Sequence, residues 1–442
     1  MCRITGFYHT QPRPPALPGI LHAMRDTLAH GGPDQAGSYL DPDQGVGLGH
    51  RRLSILDLSA AGQQPMQHDD WVICFNGEVY NFKPIRQELE QLGHAFETQT
   101  DTEVLLKGWI QWGKALLPRC RGFFALALYH KAKGTLTLVR DRFGVKPLYW
   151  YWKDGVLLFA SELKAFHQYP DWDKTLDPRA ISLYLQQGYI PAPHCIFQHA
   201  HKLAPGTLLT LRPPGAPQLQ CYRSPRELYA QTKDSTQTEG ELLEELEALL
   251  RESFEYRLIA DVPVGAFLSG GIDSSMVTAL LQQQQGRTLR TFTIGFENPA
   301  YNEAQHAKAV AQHLGTQHRE LYCTEADFQG VLPLLPELYD EPFGDSSGIP
   351  TYLVAKMARE QVTVSLSADG GDELFGGYTK YEVAQQFYPK IQRLPGAVKH
   401  LLRRVGKGVN PLWLERNSHR LPVLKQYKNI SHKFPKLLQA LQ

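Results

Sequence analysis

One short stretch of this 442-residue chain combines small, hydroxyl and acidic residues in a pattern that can bind a polyphosphate. An apolar run, VPVGAFL, leads into SGGIDSS and then into a helical pattern. Small residues let the backbone approach a phosphate, and a helix N-terminus supplies N–H donors. Asp273 repels phosphate, so its predicted role is to hold Mg²⁺ bridging the phosphates. The alternative is a plain Ser/Gly turn. The residues predicted here are Leu268, Ser269, Gly270, Gly271, Asp273, Ser274 and Ser275.

A second stretch, MCRITGF, puts a cysteine at position 2. On those seven residues alone, Cys2 is most often a small buried hydrophobe. The six cysteines are scattered without C-x-x-C spacing, so neither a disulfide framework nor a zinc site is indicated. A catalytic role for Cys2 needs support from other residues.

Bulk composition narrows the functional classes. The length suits two or three domains, and a formal net charge of +1 provides no field that would attract nucleic acid. No apolar run approaches the roughly 20 residues of a membrane span, and no secretory signal precedes Cys2. We therefore expect a cytoplasmic protein whose mature form begins here, with no nucleic-acid or membrane partner.

Residues 1–210 read as strands and turns with a few helices. Apolar and aromatic runs predict strands, and FKPIRQELEQLGH predicts a helix over 82–94 that ends near Gly93. The mixture predicts an α+β sandwich, followed by a linker over 211–240. The predicted strand regions are 46–59, 71–82, 123–130, 135–141 and 147–161.

Residues 241–442 change to alternating helices and strands. A helix is predicted over 241–258, and strand, glycine turn and helix over 262–284. Another strand and helix follow over 289–296 and 302–315, and a third strand enters a glycine-rich loop within 362–377. This alternation predicts an α/β domain with a parallel sheet, whose ligands bind at the carboxyl ends of the strands.

The stretch SGGIDSS resembles the pyrophosphate loop of the ATP pyrophosphatase family, which adenylates carboxyl groups. SLSADGGDELFGGY (365–378) resembles the acidic loop of that family, and DEPFGDSSGIPTY (340–352) resembles a segment of the glutamine-dependent asparagine synthetases. The resemblance implies ATP contacts from the pyrophosphate loop and from Ile294, Ser367 and Ala368. It implies an adenylate and aspartate site at Asp369, Asp372 and Glu373.

The same synthetases begin with a class II glutaminase domain, an αββα sandwich of the N-terminal-nucleophile type. The resemblance implies that Met1 is removed and that Cys2 attacks glutamine, with its own α-amine as the base. Arg52 would pair with the glutamine α-carboxylate, and Asn76 and Gly77 would form the oxyanion hole. The implied glutamine-binding residues are Arg52, Leu53, Ile55, Asn76, Gly77, Glu78 and Asp101.

The implied reaction couples two sites. Cys2 releases ammonia from glutamine; ATP and Mg²⁺ adenylate the β-carboxylate of aspartate; and ammonia, kept from water, displaces AMP to give asparagine. The resemblance also suggests a homodimer. It covers residues 1 to about 380.

Several residues depart from the family pattern. Arg3 replaces the glycine of M-C-G-I, which would either strain the site or lower the pKa of the thiol. Gly31 replaces the arginine of R-G-P-D and removes a cation near the thiol, and Ala368 replaces a glycine of the acidic loop. Two segments of the full-length enzymes, R-x-P-F-L-D and K-x-x-L-R, are not found. We therefore expect a complete glutaminase half and an impaired synthetase half.

Three alternatives remain open. The chain could be a related amidotransferase acting on another carboxylate, such as a sugar, a peptide or a β-lactam precursor. It could be a glutaminase-only or regulatory relative. In a third class, GDSSG (344–348) formally matches a hydrolase nucleophile elbow at Ser346, with HGG (30–32) as an oxyanion motif.

Overall fold

The computed structural model describes residues 1–10, 17–231, 236–284, 288–298 and 302–417, together with residues 434 and 438. It divides into two compact units, Met1–Ser367 and Ala368–Gln442. Each unit is described by itself.

Two six-stranded antiparallel sheets form the N-terminal half of the first unit. The first sheet runs in the order β10-β8-β9-β1-β3-β2 and the second in the order β12-β11-β7-β6-β5-β4. The strands of the first sheet are β1 (Arg3–His9), β2 (Gln35–Asp41), β3 (Val46–Arg52), β8 (Tyr149–Lys153), β9 (Val156–Ala160) and β10 (Ala200–Lys202). Those of the second are β4 (Met66–His68), β5 (Trp71–Val79), β6 (Gly122–His130), β7 (Thr135–Arg140), β11 (Thr207–Leu211) and β12 (Gln218–Cys221).

Helices cover the outer faces of both sheets. Helices α1 (Leu17–Asp26) and α4 (Pro178–Gln187) pack on the first sheet, and α2 (Phe82–Gln91) and α3 (Asp101–Trp112) pack on the second. A separate apolar cluster, including Ile4, lies between the sheets. These layers confirm the predicted αββα sandwich.

Local signals account for several element boundaries. Helix α2 carries Pro84 in its first turn and ends before Gly93, which adopts φ +95°. Helix α3 begins where the Thr100 hydroxyl accepts the Glu103 N–H at 3.3 Å. The predicted run 147–161 is a hairpin, in which Asp154 and Gly155 turn between β8 and β9 with φ of +48° and +74°.

The C-terminal half of the first unit contains a four-stranded parallel sheet, in the order β15-β14-β13-β16. Helices precede the sheet and connect its strands, which confirms the predicted α/β architecture. The strands are β13 (Val264–Phe267), β14 (Arg290–Phe296), β15 (Gln317–Cys323) and β16 (Val364–Leu366). The helices are α5 (Pro225–Gln231), α6 (Glu239–Arg257), α7 (Ile272–Gln284), α8 (Ala304–Leu314), α9 (Glu325–Val331), α10 (Leu335–Leu338) and α11 (Gly348–Arg359).

Strand β15 is absent from the strand predictions. It pairs only with β14 at the sheet edge, and its QHRELYC sequence is mostly half-buried. An edge strand with this polarity carries little apolar alternation, which is the signal that reveals a strand in sequence.

In the second unit the described residues form four helices, α12 (Gly371–Phe375), α13 (Thr379–Gln392), α14 (Gly396–Lys407) and α15 (Pro411–Arg416). Residues 418–433 lie outside the described part of the chain. The lysines that could have replaced the lysine of the K-x-x-L-R segment also lie outside it, and none is in such a motif: Lys425, Lys428, Lys433 and Lys436. None of the helices in the described ranges is long and apolar enough to cross a membrane.

Candidate active site

Cys2 lies immediately before β1, which is hydrogen-bonded to β3 and β9 on its two sides. Its Sγ is 3.4 Å from the Leu53 nitrogen, an N–H donor, and 3.5 Å from the Leu53 oxygen. Burial raises the pKa of the Cys2 thiol, and the Leu53 N–H opposes that rise. The resting thiol is therefore protonated at neutral pH and needs a base to become a nucleophile.

The amine at the start of the chain has the properties of such a base. While Met1 is present this amine belongs to Met1, and burial, followed by the charge of Arg3, lowers its pKa to about 6. The predicted removal of Met1 would leave the α-amine of Cys2 at the start of the chain in its place. An amine in this environment is mostly unprotonated at pH 7, so it can accept a proton.

Arg52 ends β3 and binds the loop that follows it. Its terminal N–H groups donate to the carbonyl oxygens of Leu56, Asp57 and Ser59 at 3.0, 2.6 and 3.1 Å, and to Gln35 Oε1 at 3.0 Å. A substrate carboxylate at Arg52 would have to exchange with one of these oxygens, because each terminal N–H already has a partner.

The loop bound by Arg52 is also fixed by the segment that enters the parallel sheet. Asp261 N–H donates to the Ile55 oxygen at 2.9 Å, and Asp261 Oδ2 accepts the Asp57 N–H at 2.8 Å. Because Asp261 lies three residues before β13, the loop beside Cys2 is bonded to the other half of the unit.

Asn76 and Gly77 lie near the end of β5. The buried Asn76 amide donates to Ser161 Oγ at 3.4 Å. Gly77 has φ +155°, and a Cβ there would lie 2.1 Å from the Phe123 oxygen and 2.7 Å from Phe124 Cα. The close approach of β6 therefore requires glycine at position 77.

Glu78, Asp101 and Lys146 form a charged cluster beside these residues. Burial, followed by the charge of Asp101, raises the pKa of Glu78. Burial raises the pKa of Asp101 to about 7, although Val79 N–H donates to its Oδ2 at 2.9 Å. Burial lowers the pKa of Lys146 to about 8. Two carboxyls held together in a buried site favour binding of a compensating cation.

A glycine-containing loop follows β13, as predicted. The buried Ser274 hydroxyl lies 3.0 Å from Ser269 Oγ, accepts the Ser269 N–H at 3.2 Å and donates to the Gly271 oxygen at 3.2 Å. Ser275 N–H donates to the same oxygen at 3.0 Å. The loop is therefore internally bonded at the carboxyl end of a parallel strand, where such folds bind ligands.

Gly270 gives this loop its shape. Its φ is +85°, and a Cβ there would lie 2.6 Å from the Ala307 nitrogen and 2.8 Å from His306 Cβ. The loop therefore packs directly against the start of α8, and position 270 excludes any side chain.

Two segments of the N-terminal sandwich contact the DEPFGDSSGIPTY stretch. Ile196 N–H donates to Glu341 Oε1 at 2.7 Å, and Lys202 Nζ pairs with Glu341 Oε2 at 2.6 Å. Lys164 Nζ lies 3.3 Å from Asp340 Oδ1. Helix α10 and an irregular segment precede Ser346 where a nucleophile elbow needs a strand, so the hydrolase alternative has no structural support.

Comparison with known proteins decides the family. The glutamine amidotransferase domain family matches residues 1–222, and the asparagine synthase family matches residues 245–440. A putative glutamine-hydrolysing asparagine synthetase 2 of Methanocaldococcus jannaschii is 36% identical over 432 residues, which cover 91% of this chain and 82% of that protein. This chain belongs to the glutamine-hydrolysing asparagine synthetase family.

Other members of the asparagine synthetase family extend further than this chain. Asparagine synthetase 1 of Bacillus subtilis is 35% identical over 410 residues, covering 92% of this chain and 63% of that protein. A putative asparagine synthetase of Mycobacterium bovis is 36% identical, with 90% and 61% covered. The chain thus spans less than two thirds of the length of these two relatives.

The structure gathers the predicted synthetase-family residues into separate groups. Cys2, Arg52 and Glu78 interact electrostatically at one site, with Leu53 bonded to the thiol. The phosphate-loop residues lie after β13, and Ile294 lies in the adjacent β14. Ser367 ends the first unit, while Ala368, Asp369, Asp372 and Glu373 belong to the second.

Within the second unit, the acidic loop forms the short helix α12 between two glycines in the left-handed region. Gly370 has φ +96° and Gly376 has φ +69°. The exposed Glu373 accepts the Tyr378 hydroxyl at 2.8 Å, and that bond raises the pKa of Tyr378 to about 12. The ATP and aspartate roles of these residues stay predictions.

Three residues of the glutaminase half were not singled out from the sequence. Lys146 lies in the stretch RDRFGVKPLYW, and Ser161 and Glu162 lie in ASELKA. Both stretches resemble segments of the synthetases, but neither shows by itself which side chain faces the site. Lys146 is itself buried although its neighbours Val145 and Pro147 are not, so no local pattern reveals it.

We expect the Michaelis constant for glutamine to rise as the pH falls below about 7, by up to roughly tenfold per pH unit. Asp101 is predicted from the family resemblance to bind the glutamine ammonium, and its carboxyl, with its pKa raised to about 7, is increasingly protonated and neutral below that pH. Glutamate release measured from about pH 5.5 to 8.5 gives this constant. Asp101→Asn is expected to raise it at pH 8 and to flatten its pH dependence. A constant that does not change across the range in the unsubstituted protein would contradict this role.

Proposed function

We propose that this protein is a glutamine-dependent asparagine synthetase. The observation that carries the proposal is the placement of two chemically distinct sites in one compact unit. A thiol with an acidic pair nearby lies at the start of β1, and a loop of small and hydroxyl residues lies at the carboxyl end of β13. The family relationship supports the same pairing of activities.

In the proposed glutaminase reaction Met1 has been removed, and Cys2 Sγ attacks the side-chain amide carbon of glutamine after its proton passes to the α-amine of Cys2. Arg52 holds the substrate carboxylate, while Glu78 and Asp101 hold its ammonium. Asn76 and the Gly77 N–H receive the developing oxyanion. The amine returns the proton to the leaving nitrogen, ammonia departs, and water hydrolyses the glutamyl thioester to glutamate.

In the proposed synthetase reaction, the loop after β13 binds the phosphates of ATP through its N–H and hydroxyl groups. The aspartate β-carboxylate attacks the α-phosphorus and releases pyrophosphate. Ammonia then attacks the acyl carbon of β-aspartyl-AMP and displaces AMP. Asp369, Asp372 and Glu373 are proposed to line the aspartate and adenylate site.

The residues of the loop suit a Mg²⁺ ion that arrives with ATP. Asp273 is a half-buried carboxylate in the first turn of α7, and the described residues contain no cluster of three or more His, Cys, Asp or Glu side chains placed for a metal. Mg²⁺ commonly combines one or two protein carboxylates with substrate phosphates and water. Asp273 would hold the ion, whose charge would offset that of the phosphates. A homodimer is proposed from the family resemblance alone, and a cytoplasmic location is proposed from the composition of the sequence.

One assay tests the proposed function. The chain is incubated with glutamine, aspartate, ATP and Mg²⁺, and glutamate and pyrophosphate are followed together, with and without aspartate. We expect both products, with pyrophosphate dependent on aspartate, asparagine formed in equal amount, and both released more slowly than glutamate because the synthetase half is predicted to be impaired. Pyrophosphate release that does not depend on aspartate would mean that water cleaves ATP to AMP and pyrophosphate. Glutamate without pyrophosphate would mean either that the acceptor is another carboxylate or that the synthetase half is inactive.

A further inference from the structure

Arg3 and Gly31 are two departures from the family pattern that lie against each other in space. A Cβ built at Gly31 would lie 2.6 Å from Arg3 Cγ and 2.9 Å from both Arg3 Cζ and Nε. These are the three atoms closest to that position. Gly31 is not among the residues with positive φ, so its backbone accepts a side chain. The Arg3 side chain therefore occupies the space that a side chain at position 31 would need.

The Arg3 guanidinium binds the backbone of the nucleophile residue. Its Nη1 donates to the Cys2 oxygen at 3.1 Å and to the Met1 oxygen at 2.9 Å. Its Nε donates to Glu162, in an ion pair whose side chains are 22% and 13% exposed. One planar group thus joins the backbone at the start of β1 to Glu162, which lies two residues after β9.

Glu162 stays ionised and can therefore pair with the Arg3 guanidinium. Burial opposes its ionisation, but the bond from His30 Nε2 at 3.0 Å and the cations Arg3 and Lys164 keep the pKa of Glu162 well below its usual range. A fixed carboxylate orients the guanidinium, because a planar fork accepts few geometries at a carboxylate. Arg3 itself lies in strand β1 and is not among the non-glycine residues with positive φ. The backbone strain at position 3, one of the two alternatives considered for Arg3 from the sequence, is therefore absent.

We propose that Arg3 is a positioning residue for Cys2, and that it supplies from β1 the cation that an arginine at position 31 would supply from the turn before β2. The inference rests on the proposed glutaminase function. The bond to the Cys2 oxygen fixes the orientation of the nucleophile residue, and so the place of its Sγ. The bond to the Cys2 oxygen also keeps the positive charge of Arg3 close to the α-amine that removal of Met1 would expose on Cys2. In the unprocessed chain the same charge lowers the pKa of the Met1 amine, so it favours a neutral amine at this place. The positive charge that the chain lacks at Gly31 is therefore present on Arg3, 28 positions earlier in the sequence.

An exchange of the two residues tests this proposal. Arg3→Gly and Gly31→Arg are each expected to lower kcat/KM for glutamine hydrolysis by about thirtyfold, the first by releasing Cys2 and the second by a clash with Arg3. The double variant R3G/G31R is expected to recover to within about threefold of the unsubstituted protein. If kcat/KM of the double variant falls by the product of the two single losses, Arg3 does not take the place of an arginine at position 31.

The pH profile separates positioning from a purely structural contribution. When the charge of Arg3 is removed, the pKa of the amine at the start of the chain is expected to rise, so the acid limb of the kcat/KM profile moves to higher pH. In the double variant the acid limb is expected to return to its original pH. Arg3→Lys keeps the charge but not the fork, so we expect the acid limb unmoved and kcat lowered. If Arg3→Gly does not fold, Arg3→Lys and the double variant still decide the matter. A normal kcat in Arg3→Lys would contradict the proposal that the bond from Arg3 to the Cys2 backbone positions the thiol.

A reactivity measurement distinguishes this inference from the proposed function. The alkylation rate of Cys2 by iodoacetamide is followed by peptide mass spectrometry against pH, in a Cys221→Ala background that removes the exposed cysteine. This readout needs no turnover. No Cys2-dependent glutamate release from the unsubstituted protein would overturn the proposed function. Identical alkylation profiles with and without Arg3 would overturn the inference alone.

Discussion

Replacement of Cys2 by alanine is expected to lower glutamine-dependent glutamate release by about a thousandfold or more, because no other group can form the thioester. Synthesis with ammonium in place of glutamine is expected to continue, since that reaction bypasses the thiol. The Cys2 Sγ makes hydrogen bonds with the Leu53 backbone, so we expect a stability change of no more than about 1 kcal/mol. Glutamate, asparagine and the thermal midpoint are measured together.

Cys221→Ala is the matched control for this substitution. Cys221 is an exposed free cysteine in the edge strand β12, so both activities are expected to stay unchanged. Glutamate release from the Cys2→Ala protein at the rate of the Cys221→Ala protein would exclude Cys2 as the nucleophile.

Replacement of Gly270 by alanine is expected to lower pyrophosphate release by about a hundredfold, and to leave glutamate release within about twofold. The φ of +85° disfavours any Cβ, and the Cβ would lie 2.6 Å from the backbone nitrogen of Ala307. The loop must shift away from α8, which displaces the N–H groups proposed to bind phosphate. Steady-state kinetics with ATP varied should show the loss.

Gly330→Ala tests whether the effect belongs to the loop. Gly330 lies in α9, and a Cβ there meets no atom within 4 Å, so full activity is expected. If Gly270→Ala retains normal pyrophosphate release, the loop after β13 is not the phosphate site. An equal loss of glutamate release would instead indicate general misfolding.

Several elements could be predicted because their signals are local. Helix α2 carries a proline in its first turn and a glycine beyond its end, and β13, its loop and α7 follow a strand, glycine turn and helix pattern. The run 147–161 was predicted as one strand region, although its Asp-Gly pair is a local signal for the turn that divides it into β8 and β9. Each signal lies within about a dozen residues, so no distant contact is needed to interpret it.

Other features depend on residues far apart in sequence. The edge strand β15 takes its place by pairing with β14, and the loop after β3 is bonded to Asp261, more than 200 positions later. Burial raises the pKa of Asp101 to about 7 and lowers that of Lys146 to about 8. Such shifts require the packed surroundings, which no short motif contains.

By itself, the sequence determined the two fold classes, the family resemblance and the candidate nucleophile, because these depend on residue types at short spacing. Only the tertiary structure decided what the departures from the family pattern mean. Arg3 and Gly31 appear in sequence as two separate losses, but β1 and the turn before β2 bring them together. Glu162, 159 positions from Arg3, completes the contact. The physical reason is that a side chain's role is set by the groups it contacts after folding.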